Sequence, residues 1–241
     1  MNKQGLYHEL AKYYDYIYSK KDYQTEVQKL EEIIEKYKTS SGKELLDVAC
    51  GTGSHLKYFV KKFNCTGVDI NPEMLKVAKN KVPQVKFIES DMSELNLNKK
   101  FDVIVCLFSS IGYLATEEKL TKAIQGFSNS LKEGGIVIIE PWLTKENYRV
   151  GSPHLTVYDG KNLKIARANV SMLKENNISY FDMHYLIVEK DKEVKYFVDH
   201  HELALFPIEL LIEQMEKYGL RTSFFKEEVF SDRGLCVGRK E

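Results

Sequence analysis

From residue 44 onward, short apolar runs alternate with stretches whose apolar residues recur every three or four positions. Glu44 to Val48, Cys65 to Asp69, Val85 to Glu89, Phe101 to Phe108 and Ile136 to Glu140 are strand-like. His55 to Lys62, Pro72 to Lys79 and Thr116 to Leu131 fall between them with helical spacing. In the last of these, Leu120, Ala123, Ile124 and Phe127 share one face. Asn71 followed by Pro72 is a strong helix start, because Asn accepts from the first free N–H groups and Pro has none to lose. Lys132 to Gly135 reads as a turn. Near-continuous apolar strands separated by helices predict a parallel sheet covered on both faces, hence an α/β fold.

The pattern differs at both ends. Residues 6–37 read as helical, tyrosine-rich at first (Tyr7, Tyr13, Tyr14, Tyr16, Tyr18, Tyr23), then with Val27, Leu30, Ile34 and Tyr37 on one face and Asp22 as an N-cap. After Pro141 no helical period appears until Pro207. Leu163 to Val170, Ile178 to Glu189 and Val194 to Phe206 alternate instead, separated by turn residues at 159–160, 175–177 and 190–192. That predicts an antiparallel insert of three or four strands. Pro207 to Tyr218 is again helical, with Leu211, Met215 and Tyr218 inward and Gly219 as its stop. Thr222 to Val229 and Leu235 to Arg239 are the last strands. The expected fold is a doubly wound, seven-stranded mixed sheet closed by an antiparallel hairpin. Its divisions are residues 1–150 as helices and core, 151–206 as insert, and 207–241 completing the sheet. The insert needs its apolar face covered, so it reads as a lid or a homodimer surface.

Composition removes several function classes. Lys+Arg and Asp+Glu are both 35 in 241 residues, so no global field favours nucleic acid or an anionic membrane. No apolar run approaches the ~20 residues of a membrane span, and no secretory leader is visible. The cysteines Cys50, Cys65, Cys106 and Cys236 form no C-x-x-C pair, and three lie in apolar runs. Neither a zinc site nor a disulfide framework is expected, and a reducing cytoplasm fits.

Gly51 and Gly53 follow the first strand, where a missing Cβ lets the backbone turn tightly against a ligand. A lone G-x-G also serves dinucleotide sites, and three features separate the two. Leu56 stands where the dinucleotide pattern wants a third Gly or Ala. Asp47, inside the strand, would repel a pyrophosphate and suits a ligand bringing a cation. Asp69 ends the second strand, where a carboxylate can hold both hydroxyls of a ribose, and Asp91 follows the third strand, able to accept from an adenine amino group.

The run Asp47 to Gly53, with Asp69 and Asp91 at the next two strand ends, resembles the class I, Rossmann-like methyltransferases that use S-adenosyl-L-methionine. The resemblance implies that Gly51 and Gly53 pass under the methionine moiety with Ala49 beside it. It implies Asp69 on the ribose, Ile70, Met74 and Met92 around the adenine, and Asp91 on its amino group. Leu107 and Ser110 would close the site, Tyr14 and Tyr18 would reach it from the N-terminal helix, and Asp47 would tie down the glycine loop and the methionine amino end.

Longer stretches narrow the resemblance. Residues 11–18, Phe108 to Tyr113, Glu140 to Trp142, Glu202 to Phe206 and Asp232 to Leu235 are similar to nucleotide-linked amino-sugar N,N-dimethyltransferases. The implied reaction is N-methylation of an amino sugar or similar small amine. O-methylation of another metabolite and a non-catalytic cofactor-binding module are the alternatives. Tyr14 and Tyr113 would position the acceptor, Glu140 would be a hydrogen-bond partner or proton acceptor, Trp142 would wall the pocket, and Arg233 would meet a phosphate. Tyr113 departs from the His that those enzymes carry, and a phenol with a reference pKa of ~10 is a poor base at neutral pH. His200 and His201 adjoin in an alternating strand, so their rings face opposite ways and cannot share one metal ion.

Overall fold

The computed structural model describes residues 10–226 and 233–241. Two helices open it, α1 (Ala11–Ile17) and α2 (Tyr23–Tyr37). Then come β1 (Glu44–Val48), α3 (Leu56–Phe59), β2 (Asn64–Asp69), α4 (Pro72–Lys81), β3 (Lys86–Glu89), β4 (Phe101–Cys106), α5 (Glu117–Ser130) and β5 (Leu131–Ile139). The insert holds β6 (Pro153–Asp159), β7 (Leu163–Val170), β8 (Met172–Lys174), β9 (Ile178–Glu189) and β10 (Lys195–Ala204). The chain ends with α6 (Ile208–Lys217), β11 (Leu220–Phe225) and β12 (Leu235–Lys240).

Seven strands form one sheet in the order β11-β12-β5-β4-β1-β2-β3. β1 to β5 are parallel, and β12 runs antiparallel between β5 and β11. Period-2 alternation divides the core into two layers. Leu46, Val48, Ile104, Cys106, Val137 and Ile139 face α5 and α6, while Leu45, Val103, Val105, Ile136 and Ile138 face α2, α3 and α4. Every residue of β4 is buried, as a central strand covered twice must be.

The N-terminal part is two helices, as expected, separated at Tyr18 to Asp22. Asp22 leaves helical geometry and accepts from Thr25 N (3.0 Å) and Thr25 Oγ1 (2.7 Å), so the cap starts a new helix instead of continuing the old one. Residues 6–9 and Asp232 lie outside the described residues. The helix after the glycine loop is only four residues long. The turn at 132–135 lies inside β5: Gly134 takes φ +72°, the ladder to β4 shifts register, and Thr39 N and Ser40 N donate to Gly134 O. Glycine carries that geometry without interrupting the strand. Asn71 caps α4 by accepting from Glu73 N (2.9 Å) and Met74 N (3.2 Å), and Gly219 ends the α6 turn at φ +78°.

The insert is a second sheet, β10-β9-β7-β6, with β8 added to β9. On one face Ile165, Tyr185 and Ile187 pack against Leu10, Tyr13 and Ile17 of the α1 segment. The other face leaves Leu155, Val157, Val170, Met172, Leu186 and Val188 exposed, Leu155 at 69%. Helix α1 therefore lies between the insert and the glycine loop of the main sheet.

Candidate cofactor and acceptor site

The strand order reverses at β1, whose neighbours are β2 on one side and β4 on the other. Crevices at such switch points, beyond the strand C-termini, are where open α/β sheets bind ligands. Ala49, Gly51 and Gly53 all have positive φ there (57°, 54° and 73°). For Ala49 this costs about 1 kcal/mol or more, so the surroundings must hold it. Cys50 N donates to Val68 O and Gly53 N to Cys50 O, each at 2.9 Å.

The two glycines do different work. A Cβ on Gly51 would meet nothing within 4 Å, so its backbone faces open space. A Cβ on Gly53 would press on Ala78 Cβ at 3.3 Å, so Gly53 lets α4 close on the loop. A cluster fixes the loop from the side. Lys81 Nζ reaches Asp15 Oδ2 (2.7 Å), Thr52 Oγ1 (2.9 Å) and Ser54 Oγ (2.9 Å), and Thr52 Oγ1 donates to Asp15 Oδ1 (2.7 Å). Asp15 belongs to α1, so the helix is bonded to the glycine loop. Sequence reasoning missed this cluster; the polar Thr52 and Ser54 flanking Gly53 were its only local trace.

Asp69 anchors the loop. Its Oδ2 accepts from Gly51 N (2.8 Å) and its Oδ1 from Asn71 N (2.9 Å). The expectation that Asp47 ties down the glycines is therefore corrected: the acid one strand over reaches the Gly51 N–H. Asp47 is 2% exposed, and its Oδ2 has no hydrogen-bond partner among the described residues. Burial, then the charge of Asp69, push its carboxyl well above the usual range. Burial also raises Asp69, and the N–H groups of Asn71, Gly51 and Ile70 oppose the shift. Two buried acids with spare acceptor capacity beside an open glycine backbone suit a ligand carrying an ammonium and hydroxyls.

Ala49, Asp69, Ile70, Asp91 and Met92 line one small cavity of about 100 Å³, with Ser90, Tyr113, Leu114 and Lys119 on its other walls. Five residues expected around the cofactor thus come together. Asp91 uses Oδ1 on Ser93 N and Ser93 Oγ, both 2.8 Å. Met74 and Leu107 do not line this cavity. Met74 is fully buried on the inner face of α4 and Leu107 packs in the core, because each continues the apolar side of its element. Ser110 donates to Leu107 O (2.9 Å) and closes the turn after β4.

That turn is held by Glu140. Phe108 and Ser109 both take positive φ (56° and 59°). Phe108 N donates to Glu140 Oε2 (2.5 Å), and Arg233 Nη1 donates to Glu140 Oε1 (2.8 Å) and Ser109 Oγ (3.0 Å). Burial raises the Glu140 carboxyl to about 7, against the pull of Arg233. The guanidinium of Arg233 engages the buried carboxylate through Nη1 and stacks on Trp142 at 5.4 Å. Trp142 is itself fixed by donating to Ser179 Oγ (2.9 Å) in the insert.

Tyr14, Tyr18 and Phe108 form a row of touching rings. Tyr14 and Tyr18 contact at 4.7 Å, Tyr18 meets Phe108 edge-on at 5.0 Å, and Arg167 of the insert donates to Tyr18 Oη (2.8 Å). Tyr113 Oη lies 2.8 Å from His201 Nδ1. His201 is buried and His200 points outward to Asp182 (2.6 Å), as alternation requires.

Comparison with known proteins agrees with this geometry. A model for a methyltransferase domain matches residues 45–135. The dTDP-3-amino-3,4,6-trideoxy-alpha-D-glucopyranose N,N-dimethyltransferase of Streptomyces venezuelae is 34% identical, over 90% of this chain and 91% of its own. The crystal structure of Streptomyces venezuelae DesVI superposes with a TM-score of 0.85 at 32% identity, covering 92% of this chain and 93% of that one. S-adenosylmethionine-bound CalS10, an amino pentose methyltransferase from Micromonospora echinaspora, gives 0.82 at 25% identity and 92% coverage of both.

Proposed function

Because the chain belongs to the S-adenosylmethionine-dependent methyltransferases, related along nearly its whole length to amino-sugar N,N-dimethyltransferases, we propose that it N-methylates a nucleotide-linked amino sugar. The observation that carries this reading is that the relatedness includes the insert as well as the cofactor-binding half. An O-methylation or a purely cofactor-binding role would not call for kinship along both parts.

The cofactor supplies a methyl group on a cationic sulfur. We assign Asp69 to the ribose hydroxyls, Asp91 to the adenine amino group, and Ile70 and Met92 to the adenine faces. The orphaned Oδ2 of Asp47 suits the methionine ammonium, and the open side of Gly51 suits its chain. Glu140, engaged by Arg233 and Phe108 N, sets the turn that presents Ser110 and Tyr113. Tyr14, Tyr18 and Trp142 shape the acceptor side. In-line attack of an amine on the methyl carbon then draws most of its acceleration from alignment. Incubation with S-adenosylmethionine and a panel of nucleotide-linked 3- and 4-amino sugars, followed by mass spectrometry, should show one and then two added methyl groups. Turnover of hydroxylated metabolites, with none of the amines, would overturn the amine reading.

The three divisions of the chain stand as part of this reading, with residues 151–206 as a module. We propose that its exposed apolar face pairs with a second copy, since Leu155, Val157, Leu186 and Val188 lie side by side on it and are exposed. A sedimentation mass of 27.9 kDa at micromolar concentration refutes the homodimer, and twice that mass is expected. No helix among the described residues is long and apolar enough to cross a membrane. The four free cysteines support a reducing, cytoplasmic setting.

A further inference from the structure

Behind Tyr113, in the insert, lies a pair of buried groups that cofactor binding does not use. His201 and Asp199 sit two apart on β10, on the same face, and each is 1% exposed. His201 Nδ1 is 2.8 Å from Tyr113 Oη, and His201 Nε2 is 2.9 Å from Asp199 Oδ2. The second contact is close but not aligned as a hydrogen bond, and neither oxygen of Asp199 makes a hydrogen bond to another described group. A carboxylate buried this way is costly unless a cation faces it. The imidazole stands where that cation would form.

The surroundings hold the ring in place. Phe181 of β9 stacks on it at 5.4 Å and 19°, and Trp142 backs Phe181 at 6.4 Å. Other titratable groups on this face are Tyr185 of β9, which feels the charge of Asp199, and Arg167 of β7 beyond it. At the cavity rim stands Lys119. The pairs His200–Asp182 and Lys174–Glu202 lie on the opposite face. Tyr113, in turn, opens on the cavity that holds Asp69 and Asp91. The column therefore runs from the cofactor cleft to a buried acid without a break.

Resting on the amine reading, we propose that Tyr113, His201 and Asp199 form a proton relay that converts the acceptor's ammonium into the nucleophilic amine. The ammonium N–H bond breaks and its proton joins Tyr113 Oη. The phenol's own proton moves to His201 Nδ1, and Asp199 faces the resulting imidazolium. The electron pair freed on nitrogen forms the new bond to the methyl carbon as the carbon–sulfur bond breaks toward sulfur. Tyr113 ends neutral, and His201 returns its proton through the same oxygen when the cleft opens to water. This removes the objection that a phenol is too weak a base: the net acceptor is an imidazole, with a reference pKa of ~6.5, and the phenol only passes protons on. Tyr113 touches the substrate, and His201 and Asp199 act through it.

The test uses the full chain and a nucleotide-linked amino sugar turned over by the wild type. Tyr113→Phe and His201→Asn should each lower kcat about a hundredfold while changing KM for S-adenosylmethionine little. Both should lose the low-pH limb of the wild-type profile. Tyr113→His, which puts an imidazole directly in the cleft, should restore most of kcat, and a Phe-like loss there counts against the relay. Unaltered rates and pH profiles in Tyr113→Phe overturn the relay while leaving N-methylation intact. Nitrogen-15 spectra of the histidine rings give a readout free of activity, with His201 identified by its absence in His201→Asn. The relay requires His201 Nδ1 unprotonated in the neutral ring and a changed titration in Tyr113→Phe. A proton resident on Nδ1, or identical titration, overturns it even if no amine is methylated.

Discussion

Replacing Asp69 by alanine should weaken S-adenosylmethionine binding by at least tenfold and lower the stability of the apo protein at the same time. The two losses come from opposite sides of one carboxylate. Toward the protein, Oδ1 and Oδ2 accept from Asn71 N and Gly51 N and so fix both the start of α4 and the glycine loop. Toward the cleft, the same oxygens have lone pairs left for two ribose hydroxyls. Hydrogen bonds to a charged partner contribute roughly 1.5–3 kcal/mol each, so loss of the ligand half alone reaches tenfold. Asp69→Asn separates the halves, because it keeps one acceptor for the backbone and loses the charge. Titration calorimetry with S-adenosylhomocysteine reads the affinity and thermal unfolding reads the fold. Unchanged affinity in Asp69→Ala would remove Asp69 from the ribose.

The second large effect is expected at Arg233, and it depends on pH. Glu140 has its folded pKa raised to about 7. The native state thus holds this proton more tightly than the unfolded chain, whose carboxyl titrates near ~4.3. Between those values native Glu140 binds more proton than unfolded Glu140. Its contribution to stability is therefore complete below the unfolded value and is lost as pH rises to about 7. Arg233→Met removes the charge that opposes burial, so the folded value rises further and the window extends upward. At pH 8 the variant must either bury a carboxylate without its guanidinium or bind a proton against the solution, a cost on the order of 3 kcal/mol. At pH 5 the carboxyl is already neutral, so the variant loses the stacking on Trp142 and the hydrogen bonds to Ser109 Oγ and Glu140 Oε1 but leaves no unpaired buried charge, and the loss is smaller. Urea unfolding at both values decides it; equal losses at pH 5 and pH 8 would mean that Glu140 is not what Arg233 serves.

What the sequence made legible follows from the range of the interactions involved. Strands β1 to β5, the Asn71–Pro72 helix start and the Gly219 stop are local signals, and periodicity or capping chemistry reads them directly. Asp69, Asp91, Ile70, Met92 and Ala49 share one cavity because residues at successive parallel strand ends converge; strand-end position marked Asp69 and Asp91, and the resemblance to the methyltransferases implied the other three. The second N-terminal helix was legible from its cap, Asp22, which accepts from Thr25 N. Met74 and Leu107 are buried beside that cavity's elements and do not line it, because packing decides which way a side chain leaves its element. The contacts that fasten the site were not legible at all. Tyr113 and His201 are 88 residues apart, Glu140 and Arg233 are 93 apart, and Asp15 and Lys81 are 66 apart. No local pattern relates such pairs until the insert and the C-terminal hairpin have folded back.

The position of β12 has a consequence for synthesis. Of the described strands in this sheet it is made after all the others, yet it lies inside the sheet, with Cys236 opposite Ile139 and Arg239 opposite Ile136. Until it arrives, β5 offers water the bare backbone of Ile136, Val137, Ile138 and Ile139, an apolar edge of the kind that recruits other chains. The whole insert emerges from the ribosome in the meantime. A chain stalled before Leu235 therefore carries a nearly complete cofactor half with an open, adhesive edge, and aggregation competes with folding until Leu235–Lys240 have emerged and paired.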